Sequence, residues 1–441
     1  MIFRIQPCIL QPATCTLINM LSKSIKKHKN HISFHTPAHS GVLNNEDITE
    51  LIFSDNLLNP QGVILKSEKR ISEIYGAENS VYITGGGTTA VHIALYTVRD
   101  KTVLIAGNCH KSAFSAVRLY GIKAFYVKDL DNINKALEET GATVLFLTSP
   151  DYFGNLAFSE SADFLLRGSL TVIVDESHGA HFAFSSLLPD SAVSYADIAV
   201  HSAHKTLPVL TGGAMLHFKD KFAPAVHNAL NEIHSTSPQY PVMLSLERAS
   251  EDFYKNGEKY YLKIKTALDK FGKNLEGLKD FEILKTDDFS RLVIKCKNAK
   301  ETAKYLEEKG IFAEAVYRDL IVFIVTPFNF KHLGKVFKII KNSKPIQNSE
   351  FRIQNEGIIK DFGSLSEEVK RLDLSACRAE FEAKDISDSI GRVAINEIGL
   401  YPPGVPFIFG GDIITKETAD FIHENKDNLF GLCFNKIFVV K

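Results

Sequence analysis

Asp175 and Lys205 each stand at or just beyond the end of an apolar run, about thirty residues apart. Thr171-Val172-Ile173-Val174 leads into Asp175, and Asp197-Ile198-Ala199-Val200 leads into His201 and the segment Ser202-Ala203-His204-Lys205-Thr206. Both runs read as short buried strands of a parallel sheet, where ligands collect at the carboxyl ends. A lysine there can form a Schiff base with an aldehyde, and a carboxylate can keep a pyridine nitrogen protonated. Together these are the two functions a pyridoxal-phosphate site needs. Lysine and aspartate are common residues, so the weight of this reading rests on their neighbours.

Gly85-Gly86-Gly87-Thr88-Thr89-Ala90 follows an apolar run and opens a helical one. Three glycines allow close backbone approach, and two hydroxyls with helix N-terminal amides can bind a phosphate dianion. The segment is neither GxGxxG nor a Walker loop, so no nucleotide is implied. A glycine turn of this kind also has purely structural uses, and it is its company with Asp175 and Lys205 that favours a phosphate cup. His110, in Asn108-Cys109-His110-Lys111-Ser112, follows another expected strand and could lay its ring on a pyridine ring. His178 comes directly after the acid and could bond the cofactor or a substrate carboxylate, whereas His181 reads as structural. Ser202 and His204 flank the lysine closely enough to add phosphate contacts.

These residues need a scaffold, and the chain supplies a strand–helix alternation from about residue 68. Expected strands are Val81–Thr84, Thr102–Ala106, Ala124–Val127, Thr143–Leu147, Thr171–Asp175, Asp197–His201 and Gly213–His217. Ala90–Val98, Ser112–Tyr120 and Ile133–Thr140 read as helices between them. The alternation predicts an α/β domain with a mostly parallel sheet. A helix over residues 14–29 precedes it, followed by a turn-rich segment, His35–Gly41. Met243–Leu275 reads as a long helical connector. Beyond it, Arg291–Lys295, Ala299–Glu308 and Leu320–Val325 give strand, helix and strand, and Asn342–Gly357 reads as a loop. The expected organisation is an N-terminal helical arm (1–45), a large cofactor-binding domain with its connector helix (46–275) and a smaller α+β C-terminal domain (276–441).

With 441 residues, 45% hydrophobic and 23% charged, the chain has the composition of an ordinary globular protein of two or three units. A net charge of −1 gives no electrostatic case for nucleic acid or an anionic membrane. Lys23, Lys26, Lys27 and Lys29 read as a solvated helix face. Six scattered cysteines (Cys8, Cys15, Cys109, Cys296, Cys377, Cys433) show neither CxxC nor metal spacing. With no clean leader pattern and no run long enough to span a bilayer, reduced thiols in a cytoplasmic protein are expected.

The motifs also carry a family resemblance. Pro37-Ala38-His39-Ser40-Gly41, Asp47-Ile48-Thr49-Glu50, Gly87-Thr88-Thr89-Ala90, His110-Lys111-Ser112, Asp175-Glu176-Ser177-His178-Gly179-Ala180-His181 and His201-Ser202-Ala203-His204-Lys205-Thr206-Leu207-Pro208 occur in that order. Ser235-Thr236-Ser237-Pro238, Gly391-Arg392-Val393 and Tyr401-Pro402-Pro403-Gly404-Val405-Pro406 follow. Together they resemble the bacterial ornithine/lysine/arginine decarboxylases of aspartate-aminotransferase fold (pyridoxal-phosphate fold type I), in the compact form without an N-terminal receiver-like domain. The resemblance implies Lys205 as the Schiff-base lysine, Asp175 as partner of the pyridine nitrogen and His110 as the stacking ring. It implies Gly87, Thr88, Thr89, Ser202 and His204 around the phosphate, with His178 beside the cofactor. Thr236 and Ser237 are implied to lie near the site of a neighbouring subunit, because the family builds its sites at a homodimer interface. Departures from the family's usual residues are Ala38, Ser40, Thr211-Gly212-Gly213 and Gly410-Gly411-Asp412.

The activity implied is α-decarboxylation of a basic amino acid, arginine before lysine or ornithine, feeding polyamine metabolism. Lys205 or a nearby histidine is then the acid that protonates the α-carbon. The substrate's basic end needs a carboxylate; Glu380, Glu382, Asp385, Glu397 and Asp412 are candidates that the sequence does not separate. An aldolase or aminotransferase of the same fold type, the latter with Arg392 for a substrate carboxylate, and a catalytically silent cofactor-binding homologue are the competing readings.

Overall fold

Short Val-, Ile- and Leu-rich runs form the centre of an eight-stranded sheet in the computed structural model, which describes residues 19–28, 30–158, 168–342, 369–372, 379–402 and 404–441. The strands in chain order are β1 (Asn79–Ile83), β2 (Val103–Ala106), β3 (Ala124–Val127), β4 (Val144–Thr148), β5 (Thr171–Asp175), β6 (Ile198–His201) and β7 (Ala214–Phe218). Lys370–Arg371 adds a short antiparallel edge to β3. Their spatial order is β1-β7-β6-β5-β4-β2-β3 before that edge, with β3, β2, β4, β5 and β6 mutually parallel and β7 antiparallel to both its neighbours.

Alternation divides the side chains between two apolar layers, as it must in a sheet covered on both faces. Ile105, Phe146, Ile173 and Val200 join one buried cluster, and Leu104, Leu145, Val174 and Ala199 the other. Register then sets the site. Thr148 pairs with Asp175, and Asp175 with Val200, so the strand ends lie level and Ser202–Lys205 turns over them.

Most boundaries fall within a residue or two of expectation, and the differences have local causes. The helix expected from Ala90 begins at Gly86 and runs to Thr97, so the glycine turn is itself its first turn. The connector starts at Tyr240 and ends at Leu275, taking Pro241 into its first turn, where a missing N–H costs no helical bond. The arm helix spans Met20–Lys27; residues 14–18 and Lys29 of the expected span lie outside the described residues. Its first amides, Leu21 N–H and Ser22 N–H, are capped across the core by the Glu247 carboxylate at 2.9 Å each.

Residues of the stretch 276–441, expected as one unit, enter several apolar clusters. Phe281–Leu284, β8 (Arg291–Cys296), Ala315–Tyr317 and Leu320–Ile324 form an antiparallel sheet whose apolar side merges with the connector helix. A helix, Leu333–Asn342, packs there through Leu333, Val336 and Ile340, so Asn342 closes a helix where a loop was expected to open; the rest of that loop lies outside the described residues. Residues 379–441 enclose a separate cluster that includes Ile398, Ile408, Ile422 and Val439. Phe409 reaches back from there into the large sheet's core, against Phe114 and Tyr126. Among the described residues no helix is long and apolar enough to cross a membrane.

Candidate active site

The carboxyl ends of β4, β5 and β6 open into a cavity of about 350 Å³ lined by Gly86, Gly87, Thr88, His110, Asp175, His178, Ser202, His204 and Lys205 among others. The sequence candidates spread over more than a hundred residues thus converge on one space. Three do not line it. Thr89 donates its hydroxyl back to Gly85 O at 2.9 Å, and Thr236 and Ser237 lie exposed on the surface.

Lys205 sits in a single turn of 3-10 helix after β6, with Nζ 3.1 Å from His178 Nε2. Burial lowers its pKa; Asp175 and Glu314 oppose that, and Arg291 adds to it. Asp175 is buried and accepts from Ser177 N–H and Ser177 Oγ–H on Oδ1. Burial raises its pKa, and the Ser177 bonds and Lys205 act against the rise. Glu176, its sequence neighbour, belongs to a different network. It bonds His201 Nε2 at 2.6 Å, and His201 Nδ1 bonds His217 Nε2 at 3.1 Å, all three being buried in the core. Asp175 is therefore the acid of the pair that the cavity receives.

The glycine turn is a cradle that side chains would fill. A Cβ on Gly87 would stand 3.1 Å from Ser177 Oγ and from Ser202 Cβ and Oγ. Gly86 has φ +77°, and its N–H is already given to Gly212 O at 2.7 Å. Gly212, one of the departures from the family pattern, has φ +90°, and a Cβ there would lie 3.1 Å from Thr84 O. The amides of Gly87 and Thr88, next in the first helical turn, and the Thr88 hydroxyl are the donors left for an anion. His204 Nδ1 faces the Gly213 carbonyl oxygen at 3.1 Å, so it must donate, and Nε2 can donate to a phosphate only in the imidazolium form.

His110 caps the helix Lys111–Tyr120, its Nδ1 accepting from Ser112 N–H. Its pKa falls to about 4 through burial, with Lys205 and Lys111 adding to the shift. A neutral flat ring suits stacking on a cationic pyridine. Gly404, at φ +86°, lies against that ring, and its carbonyl accepts from Lys111 N–H at 2.8 Å. Tyr401, Val405 and Pro406 of the same motif line the cavity together with Leu400 just before it; Pro403 lies outside the described residues.

Sequence reading missed part of the wall. Asp151, Tyr152, Phe153 and Tyr317 line it, and Tyr152 OH donates to Glu314 at 2.8 Å. Arg291, fully buried at the start of β8, bonds His178 Nδ1 at 3.0 Å. None stands in a segment whose pattern hints at chemistry, and only a strand-opening charged residue, Arg291, carries even a weak signal. The five carboxylates expected for substrate are engaged elsewhere: Glu380 with Lys441, Glu382 with Arg392 and Lys384, Asp385 with Lys436, Glu397 with Arg118 and Asp412 with Lys370. Arg392 likewise does not line the cavity, so it is not placed to hold a substrate carboxylate there.

A buried lysine and acid on level strand ends, a glycine cradle and a neutral facing ring fit pyridoxal phosphate, and they define a fold-type-I enzyme of that cofactor. The chain belongs to the Orn/Lys/Arg decarboxylase family, whose major-domain model matches residues 24–327. It is 29% identical over 453 residues to the uncharacterised Bacillus subtilis protein YaaO, covering 90% of this chain and 92% of the relative. It is 26% identical over 463 residues to a Bacillus subtilis arginine decarboxylase, covering 92% and 93%. The solved lysine decarboxylase LdcF of Francisella novicida shares the fold, with TM-score 0.75 and 17% identity over 97% of this chain and 82% of that one. Lysine decarboxylase A of Pseudomonas aeruginosa gives TM-score 0.76 and 18% identity, covering 96% and 81%. The chain is a pyridoxal-phosphate-dependent amino-acid decarboxylase of the basic amino-acid class.

Proposed function

We propose that this protein removes the α-carboxylate of arginine, with lysine and ornithine as the next substrates in order, in a cytoplasmic homodimer that serves polyamine formation. The observation that carries the reading is the meeting of Lys205, His178 and Asp175 in one cavity with the Gly86–Thr88 turn and the His110 ring. When bound, pyridoxal phosphate supplies an aldehyde and an electron-accepting ring. Lys205 presents its amine to the aldehyde. Asp175 holds a proton at the ring nitrogen, and His110 covers one ring face. Gly87, Thr88, Ser202 and His204 take the phosphate, with Thr89 close by in the same turn. Lys205 or His178 returns a proton to the α-carbon.

Arginine is favoured because relatives named arginine decarboxylases align along nearly their whole length. A guanidinium also needs a carboxylate, and Asp151 lines the wall while Glu314 stands behind Tyr152. The two-copy reading is supported by the arm. Ile32, Phe34, Val42, Leu43 and Ile52 are 82% or more exposed within twenty-one residues that also contain the His35–Gly41 motif. An exposed apolar run of that kind marks an interaction surface, and Thr236 and Ser237 are exposed as well.

The test is CO2 release from arginine, lysine and ornithine with added pyridoxal phosphate. Release fastest from arginine supports the assignment, and release fastest from lysine or ornithine replaces the substrate. Cofactor binding without release from any of the three overturns the enzyme reading in favour of a silent homologue.

A further inference from the structure

Arg291 makes a contact that its burial does not explain. It opens β8 with 2% of its surface exposed, and Gly154 at φ +93° lies over its stem, where a Cβ would come 2.7 Å from Arg291 Cβ. Its Nη2 bonds His178 Nδ1 at 3.0 Å, while Nε and Nη1 are buried without a hydrogen-bond partner. Leaving two guanidinium nitrogens unpaired in a core is costly. A hydrophobic side chain of similar length would fill the space without that cost, so the one bond made is the feature to account for.

A guanidinium has donors and no acceptor, so His178 Nδ1 must accept from it. The neutral ring then carries its hydrogen on Nε2, and that hydrogen is directed at Lys205 Nζ, 3.1 Å away. A nitrogen that receives a hydrogen bond offers a lone pair. An ammonium at Lys205 would set two donors face to face.

We propose that Arg291 is a positioning residue that fixes His178 as the Nε2–H tautomer and so holds Lys205 as the free amine, the form able to attack an aldehyde. The surrounding charges agree. Burial lowers Lys205, and Arg291 lowers it further against the pull of Asp175 and Glu314. His178 is held well below the ordinary imidazole value by burial, then by Lys205 and Arg291, with His110 and His181 adding to this. Asp288 balances the guanidinium. Although burial pushes that carboxyl up, His181 and Arg291 keep it below its ordinary value.

The inference rests on Lys205 being the cofactor lysine, but not on the substrate. Its primary test needs neither cofactor nor turnover. Nitrogen NMR of histidine-labelled, cofactor-free protein is expected to show His178 protonated on Nε2 alone at neutral pH. An Nδ1–H or charged ring in the wild type overturns the proposal without any variant. Arg291→Met is expected to lose the single-tautomer signature. In the same variant the pH midpoint for condensation of Lys205 with pyridoxal phosphate should rise by about one unit, a roughly tenfold slower reaction near neutrality. Arg291→Lys, which keeps a donor and a charge, should recover most of both. An unchanged midpoint in folded Arg291→Met, or no recovery in Arg291→Lys, overturns it. An intact tautomer in a protein that releases no CO2 would instead count against the proposed function.

Discussion

A Cβ on Gly404 would stand 2.6 Å from Cδ2 of His110, so the C-terminal motif and the ring that faces the cavity are fitted to each other across nearly three hundred residues of chain. Gly404→Ala must both clash with that ring and hold alanine at φ +86°. A stability loss of about 2 kcal/mol is expected from the backbone alone. Displacement of His110 should also weaken pyridoxal phosphate several-fold, which a spectroscopic titration measures. Unchanged cofactor affinity would separate the motif from the ring.

His110 itself links stability to pH. Its folded pKa of about 4 lies below the ordinary 6.5, chiefly through burial, so between those values the unfolded chain binds a proton there that the native protein does not. The stabilisation is complete above the unfolded pKa and is lost as pH falls toward the folded one. One such ring gives a slope of about 1.4 kcal/mol per pH unit inside that window. In cofactor-free protein, His110→Phe keeps a flat ring and should flatten urea-derived stability against pH by about that amount. A slope equal to wild type would show that His110 titrates normally.

The acids sort into two groups with opposite kinetic signatures. Glu397, paired with Arg118, is expected to serve the fold, so Glu397→Gln should cost about 1–3 kcal/mol and leave KM unchanged. Asp151→Asn and Glu314→Gln should instead raise KM for the basic amino acid about tenfold, the loss of one charge-assisted bond. Asparagine keeps an acceptor for the Phe153 and Asn155 amides that Asp151 now binds, so the loop is retained. An unchanged KM in both variants would move the substrate's basic end to another wall.

The exposed arm predicts a change of mass. The wild-type protein should sediment as at least a dimer, and Phe34→Asp with Leu43→Asp should sediment as a monomer and lose activity. A wild-type monomer that is fully active would remove the two-copy reading.

Much of this protein is written locally. The strands at Thr171–Asp175 and Ala124–Val127 have the residues expected of them, because a short run of β-branched, aliphatic or aromatic residues between turn signals has few other stable uses. The glycine turn, the acid and the lysine are legible for the same reason: a phosphate cradle and a strand-end acid are properties of a few consecutive residues. The Leu333–Asn342 helix buries an apolar face through Leu333, Val336 and Ile340, and only its last residue, Asn342, falls in the polar stretch read as loop. Which distant groups meet is not written in any short segment. Five C-terminal acids look equally available in the sequence, and only the fold sets each beside a cation. A strand pattern likewise marks Arg291 as the start of β8 without showing that its guanidinium reaches His178. The sequence by itself determined the fold type and the cofactor, because both are carried by short motifs of consecutive residues. The tertiary structure alone decided the walls, the tautomer of His178 and the fit of Gly404 to His110, because these depend on contacts between segments a hundred or more residues apart.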